Sequence, residues 1–169
     1  DGVLKNYLLS ENNILNDKVI LDMGCGGGDK TCALSMSCNS KLVIGIDASS
    51  TAIDAANKLK QKLQLKNTIF LQGYMEDSAK ILKKELGIEK VDFIFNSFNL
   101  HHVEDYPKLL SVFSDLLNPG GFLLTIFVTI DRGLSSFTIK NRIAYALGKS
   151  KESRMAIGKF LFSWFDNRH

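Results

Sequence analysis

The sequence predicts an α/β protein built on a doubly wound, mostly parallel sheet with helices on both faces. Five short apolar segments alternate with segments of helical periodicity, an order typical of crossover units and a parallel sheet. The first apolar segment runs into a glycine-rich turn, Gly24-Cys25-Gly26-Gly27-Gly28. Because open sheets of this kind bind ligands at the carboxyl ends of their strands, this turn is the first candidate site.

Each element has its own local signal. The strands are the apolar runs, predicted at 18–23, 41–46, 68–72, 91–97 and 122–129. The helices begin at capping residues or first-turn acids, and their starts are predicted at Gly28 or Asp29, at Ser49-Ser50-Thr51, at Ser78, and at Asp105 or Pro107. Asn118-Pro119-Gly120-Gly121 is a strong turn signal before the fifth strand. A short helix is also predicted within 2–15.

Composition fits one soluble globular domain. The chain has 169 residues, of which 45% are hydrophobic and 23% charged, enough to build a core. We find no run long enough to span a membrane and no secretory signal, and we expect no nucleic-acid partner. The three cysteines lack the spacing of a metal site, so we expect no bound metal. An unpaired odd number of thiols fits a reduced, cytoplasmic setting.

The spacing of the glycines argues against a dinucleotide. The G-x-G-x-x-G fingerprint of a Rossmann dinucleotide site would place its third glycine at position 29, which is Asp29. Two carboxylates, Asp22 and Asp29, would then face a pyrophosphate. An acid directly before the turn instead suits a ligand with a positive group, such as an amino-acid ammonium.

The pattern Asp22-x-Gly24-x-Gly26-x-Gly28 resembles motif I of the class I S-adenosylmethionine (SAM) dependent methyltransferases. Two later segments resemble the same family in the same order: Phe98-Asn99-Leu100-His101-His102 after strand four, and Leu117-Asn118-Pro119-Gly120-Gly121-Phe122-Leu123-Leu124 at strand five. The resemblance covers roughly 14–130. It implies a Rossmann-like methyltransferase fold, SAM as the cofactor, and methyl transfer to a small-molecule acceptor.

Polar residues at two further strand ends extend the candidate site. Asp47 ends strand two, where a carboxylate can accept hydrogen bonds from both ribose hydroxyls; the alternative is a helix cap. After strand three, Tyr74 stands where the family often has an acid near the adenine amine. Met75 can offer its backbone N–H and pack on the adenine, and Glu76 or Asp77 can replace the missing acid. The alternative is a solvated helix cap.

The predicted cofactor-binding residues all lie at or after the carboxyl ends of strands one to four: Asp22, Gly24, Cys25, Gly26, Asp47, Ala48, Met75, Glu76 and Asn96. A general base is needed only if the acceptor has a proton to lose. His101 and His102 are the candidates, because an unperturbed imidazole titrates near neutrality. The alternative is a structural role for each histidine.

The last 39 residues differ from the rest. Residues 1–131 carry a net charge of −3 and residues 132–169 a net charge of +6. We therefore divide the chain into a SAM-binding core, 1–130, and a basic, aromatic tail, 131–169. In place of the family's closing strands we predict helices at 139–147 and 154–165. The tail is expected to cover an apolar or aromatic acceptor; the alternatives are packing on the sheet edge or a homodimer contact.

We expect the chain to be part of a longer protein. Two other functions stay open at this point. The irregular Tyr74 and the absent closing strands suit a catalytically inactive, methyltransferase-like binding or scaffold domain. An NAD-type oxidoreductase is the other alternative, and the position of the third glycine counts against it.

Overall fold

A computed structural model of the chain describes residues 14–97, 103, 105–128 and 142–148. The strands are β1 (Val19–Met23), β2 (Leu42–Asp47), β3 (Thr68–Gln72), β4 (Val91–Ser97), β5 (Leu117–Val128) and β6 (Arg142–Gly148). The helices are α1 (Asp29–Ser37), α2 (Ser50–Lys62), α3 (Ser78–Leu86) and α4 (Tyr106–Leu116), and a 3-10 turn spans Met75–Asp77. The predicted helix within 2–15 falls largely outside the described residues.

The six strands form one sheet in the order β3-β2-β1-β4-β5-β6. Strands β1 to β5 are parallel, and β6 is antiparallel to β5. Strands β2 and β3 extend the sheet on one side of β1, and β4, β5 and β6 extend it on the other. The strand order therefore reverses beside β1, where the connection from β3 to β4 crosses the sheet. In an open parallel sheet that reversal opens a crevice at the carboxyl ends of the strands.

Apolar side chains cover both faces of the sheet. One face packs against α3 and α4 through a cluster that includes Ile44, Ile94, Leu82 and Phe113. The other face forms two clusters, one around Ile20 and Phe93 and one in which Cys32, Ile53 and Ala56 of α1 and α2 meet Phe70 of β3. Burial on both faces explains why the strands read as continuous apolar runs rather than as alternating ones. The predicted doubly wound fold is confirmed.

The prediction of a helix at 139–147 is wrong. Residues Arg142–Gly148 form β6, paired with β5 from Phe122↔Gly148 to Val128↔Arg142. The sequence alternates Ile143, Tyr145 and Leu147 with smaller or polar residues, a period of two. Pairing with the open edge of β5 selects that period over the helical spacing of Ile143 and Leu147. The expectation of no antiparallel strand after β5 is therefore wrong as well. A second closing strand is not found among the described residues. The predicted helix at 154–165 lies outside the described residues.

The Asn-Pro-Gly-Gly segment is an irregularity within β5 rather than a turn before it. The pairing register with β4 shifts there, from Val91↔Leu117 to Phe93↔Phe122. Asp92 lies at the shift and joins three strands: its Oδ2 accepts the Val19 N–H at 2.9 Å and its Oδ1 accepts the Asn118 amide at 3.0 Å. One carboxylate therefore fixes the relative positions of β1, β4 and β5.

Of the helices within the described ranges, none combines the length and apolar character needed to cross a bilayer.

We predict that Asp92→Ala lowers the free energy of unfolding by about 1–3 kcal/mol, because the Val19 N–H and the Asn118 amide lose a charged acceptor. Urea denaturation measures the change. The control is Asp54→Ala, which removes an exposed carboxylate on α2 and should change stability by less than about 0.5 kcal/mol. Equal losses for the two variants would contradict a linking role for Asp92.

Candidate functional site

A cavity of about 220 Å³ lies at the carboxyl ends of β1, β2 and β3. Its walls come from the loop after each of these strands and from one residue after β4. The lining residues are Gly24, Asp47, Ala48, Gly73, Tyr74, Met75, Glu76 and Val103. Five of the nine residues predicted to bind the cofactor are therefore brought together here: Gly24, Asp47, Ala48, Met75 and Glu76.

The glycine turn is folded back onto the end of β2. The N–H groups of Gly24 and Cys25 both donate to the carbonyl oxygen of Ile46, at 2.8 and 3.0 Å, and the Gly28 N–H donates to the Cys25 carbonyl at 3.1 Å. These bonds set the turn beside the exit of β2, so the first loop and the second strand form one wall of the cavity.

Asp47 holds that wall together. Its Oδ2 accepts the Gly26 N–H at 2.8 Å, and its Oδ1 accepts the Ser49 N–H at 2.9 Å. Its own carbonyl oxygen accepts the Gly73 N–H at 2.9 Å. The N-cap of α2 is Ser49, whose hydroxyl accepts the Ala52 N–H at 3.2 Å. The structure therefore gives the helix cap to Ser49 and leaves Asp47 as a link between the loops after β1, β2 and β3.

The ring of Phe70 supports the glycine turn from below. A Cβ on Gly28 would lie 2.7 Å from Phe70 Cζ and 2.8 Å from the Ala56 Cβ, and Gly28 has a φ of +83°. A Cβ on Gly45 in β2 would lie 2.7 Å from Phe70 Cδ1. Both positions need glycine because the Phe70 ring occupies the space that a side chain would fill.

Asp22 lies beneath the turn and does not line the cavity. Its side chain is 2% exposed, and its Oδ2 accepts the Thr31 hydroxyl at 2.6 Å. Burial raises the pKa of this carboxyl to about 7, opposed by the Thr31 hydrogen bond and by the charge of Lys30. The group that the sequence predicts to meet a ligand ammonium is thus a buried carboxyl that titrates near neutral pH.

The other three predicted residues, Cys25, Gly26 and Asn96, do not line the cavity. The Cys25 side chain is buried beside Gly45, and burial raises the pKa of its thiol, so it is not a poised nucleophile. The Gly26 N–H is bound by Asp47. Asn96 is fully buried at the end of β4 and does not line the cavity.

The two acids in the segment after β3, Glu76 and Asp77, lie in different surroundings. Glu76 lines the cavity, whereas Asp77 lies outside the lining and pairs with Lys80 at 3.3 Å on the surface. Tyr74 lines the cavity with 68% of its surface exposed. Glu76 is therefore the better placed of the two acids to replace the one that Tyr74 displaces.

His101 and His102 lie outside the described residues. Sequence reasoning did not select Thr31, Phe70 or Val103. Thr31 and Phe70 carry no local signal, because their roles come from α1 and β3 packing beside the glycine turn. Within the described part of the chain, no group of three or more His, Cys, Asp and Glu side chains is placed to hold a metal ion.

A family model of the methyltransferase domain matches residues 14–154. The chain belongs to this family. The match includes every strand of the sheet and all the residues of the cavity, and it confirms the resemblance to class I SAM-dependent methyltransferases. It also counts against the NAD-type alternative, in agreement with Asp29 at the third-glycine position.

Similar proteins agree with the family match. The ubiquinone biosynthesis O-methyltransferase of Pasteurella multocida is 30% identical over 137 residues, which are 79% of this chain and 55% of that protein. A SAM-dependent methyltransferase structure from Aquifex aeolicus aligns with a TM-score of 0.60 and 26% identity, covering 80% of this chain and 67% of that one. The YcgJ structure from Bacillus subtilis aligns with a TM-score of 0.62 and 21% identity, over 79% and 53%. The chain spans about half the length of the curated relatives it matches.

We predict that stability falls as pH rises from about 4 to about 7, because Asp22 keeps its proton longer in the folded than in the unfolded chain. Between the two pKa values the native state binds the additional proton, so each unit of pH removes up to about 1.4 kcal/mol. Asp22→Asn should remove this part of the pH dependence, as measured by urea denaturation from pH 4 to 8.

The matched control is Asp54→Asn, an exposed carboxylate on α2, which should leave the pH profile as in the wild type. A profile unaltered by Asp22→Asn would contradict a titrating, buried Asp22.

Proposed function

We propose that this chain binds SAM in the cavity at the carboxyl ends of the strands and transfers the methyl group to a small-molecule acceptor. The observation that carries this proposal is the position of Asp47, which lines the cavity while its carboxylate holds the glycine turn and the start of α2. The family match gives the reaction class that such a cavity serves.

The residues of the cavity fit the parts of SAM. An ionised carboxylate offers about four acceptor positions, and Asp47 uses two of them on Gly26 and Ser49. The others suit the two ribose hydroxyls. Tyr74, Met75 and Val103 provide apolar surface for the flat adenine, and Glu76 can accept from its amine. Asp22 is buried beneath the glycine turn and accepts the Thr31 hydroxyl of α1, so it supports the turn and makes no direct contact with the ligand.

Bound SAM supplies a methyl group on a positively charged sulfur. When the methyl group is transferred, the C–S bond breaks and the sulfur becomes a neutral thioether. The chain's own contribution is to hold the cofactor and the acceptor in line. Positioning of reacting atoms within about 3–3.5 Å can supply several kcal/mol of the barrier. The Asp47 carboxylate joins the glycine turn to the start of α2 and so holds two loops of the cavity wall in place.

We favour an oxygen acceptor, because the curated relatives are named O-methyltransferases. A hydroxyl loses a proton when it is methylated, and His101 and His102 are the candidate bases that would accept it on an imidazole nitrogen. The aromatic tail, 131–169, apart from its strand β6, is the candidate cover over an apolar or aromatic acceptor. The division of the chain at residue 130 is part of this proposal, and a homodimer contact is the alternative role of the tail.

A cytoplasmic location is also part of the proposal. Its support is chemical: all three cysteines are free and buried, as expected of a protein that stays in a reducing compartment.

We predict that calorimetry detects binding of SAM and of its demethylated product to the purified protein, and no binding of NAD. The physical reason is that Asp47 suits a ribose in either cofactor, whereas Asp29, exposed in the first turn of α1, places a negative charge where a dinucleotide site has its third glycine. Turnover with phenolic acceptors separates an active enzyme from a binding domain. Absence of heat with SAM at millimolar concentration would refute the proposal.

Asp47→Ala should weaken SAM binding by at least about tenfold, because the variant loses both the ligand contact and two hydrogen bonds to a charged group. The control is Ser49→Ala, which removes the cap of α2 and leaves the Asp47 carboxylate in place. Titration calorimetry compares the two dissociation constants. If both variants raised the dissociation constant for SAM by a similar, small factor, Asp47 would have only a structural role at the start of α2.

A further inference from the structure

The Asn96 side chain connects the centre of the sheet to the wall of the cavity. Its Nδ2 donates to the Met75 thioether sulfur at 3.4 Å, and its Oδ1 accepts the Thr125 hydroxyl at 3.2 Å. Asn96 and Thr125 are paired in register on neighbouring strands β4 and β5, so their side chains lie side by side on one face. Of the three residues, Met75 alone lines the cavity.

The chemistry of the three groups fixes the direction of these bonds. A thioether has no hydrogen to donate, so the Asn96 NH₂ must face it. The carbonyl oxygen of Asn96 is then turned toward β5, where the Thr125 hydroxyl donates to it. The amide is 0% exposed and Thr125 is 7% exposed, so both groups are largely shielded from bulk solvent. The Thr125 hydroxyl therefore holds the carbonyl end of the amide, while the NH₂ end is directed at Met75.

Resting on the proposed function, we propose that Asn96 and Thr125 are positioning residues that hold the Met75 side chain in the cofactor wall. They set SAM affinity through Met75 and do not touch the cofactor. This changes the role predicted for Asn96, from direct cofactor contact to support of a residue that makes the contact. Thr125, on the neighbouring strand β5, becomes a residue that supports the binding site although it does not line the cavity.

The test measures SAM affinity by calorimetry in Thr125→Val, which keeps the shape of the side chain and removes its hydroxyl. We expect the dissociation constant to rise about threefold to tenfold, the range of one lost hydrogen bond. Thr125→Ser restores a hydroxyl and should regain most of the affinity. In a Met75→Leu background, which lacks the sulfur acceptor, Thr125→Val should change the affinity by less than about twofold.

Thr68 provides the matched control. It is also a fully buried strand threonine, and its hydroxyl has no hydrogen-bond partner. Thr68→Val should therefore leave SAM affinity unchanged. A second readout needs no ligand: in protein labelled at the methionine methyl groups, the NMR signal of the Met75 methyl should shift in Thr125→Val and stay in place in Thr68→Val.

The outcomes separate this inference from the proposed function. If the wild type binds SAM and Thr125→Val binds it equally well, the positioning role is overturned. The same holds if Thr125→Val weakens binding equally in the Met75→Leu background, or if Thr68→Val weakens it as much. If the wild type does not bind SAM, the proposed function fails and the affinity claim with it, whatever the methyl signal shows.

Discussion

The arrangement of the site depends on one residue at the end of β2. Asp47 binds the glycine turn through Gly26, the start of α2 through Ser49, and the exit of β3 through Gly73. Parallel strands bring these three loops to the same edge of the sheet, but they do not by themselves fix the distances between the loops. The half-buried carboxylate of Asp47 offers about four acceptor positions. Two of them accept the N–H groups of Gly26 and Ser49 and so fix the distance between two loops, and the other two are available to a ligand. Under the proposed function, structural support and ligand recognition share this one side chain.

The packing below the cavity brings the glycine turn close to the sheet and buries the Asp22 carboxyl. Phe70 fills the space that Gly28 and Gly45 leave, and so brings the turn close to β2 and β3. The same close packing buries Asp22, whose carboxyl accepts the Thr31 hydroxyl. Burial thus converts an ordinary acid into one that titrates near neutrality.

The fold and the strand ends could be predicted from the sequence because their signals are local. Apolar runs, capping residues and the Gly24–Gly28 turn each specify a short segment, and a parallel sheet then gathers the segments. Contacts between distant segments could not be predicted in this way. The support of the turn by Phe70, the partner of Asp22 and the bond between Asn96 and Met75 depend on the packing of separate elements. The strand β6 could not be predicted for a related reason. Its segment is compatible with both a helical period and a strand period of two, and the pairing with β5 decides between them.

The central claim is that the loops joined by Asp47 form the SAM site. It is tested most directly by ¹⁵N NMR of the purified protein during titration with SAM. The account predicts that the largest changes fall on the amides of Gly24, Gly26, Asp47, Ala48 and Met75. Amides of Lys80 and Lys84 on α3, which do not line the cavity, should change little. Changes concentrated on α3, with the Asp47 and Gly26 amides unmoved, would contradict the account.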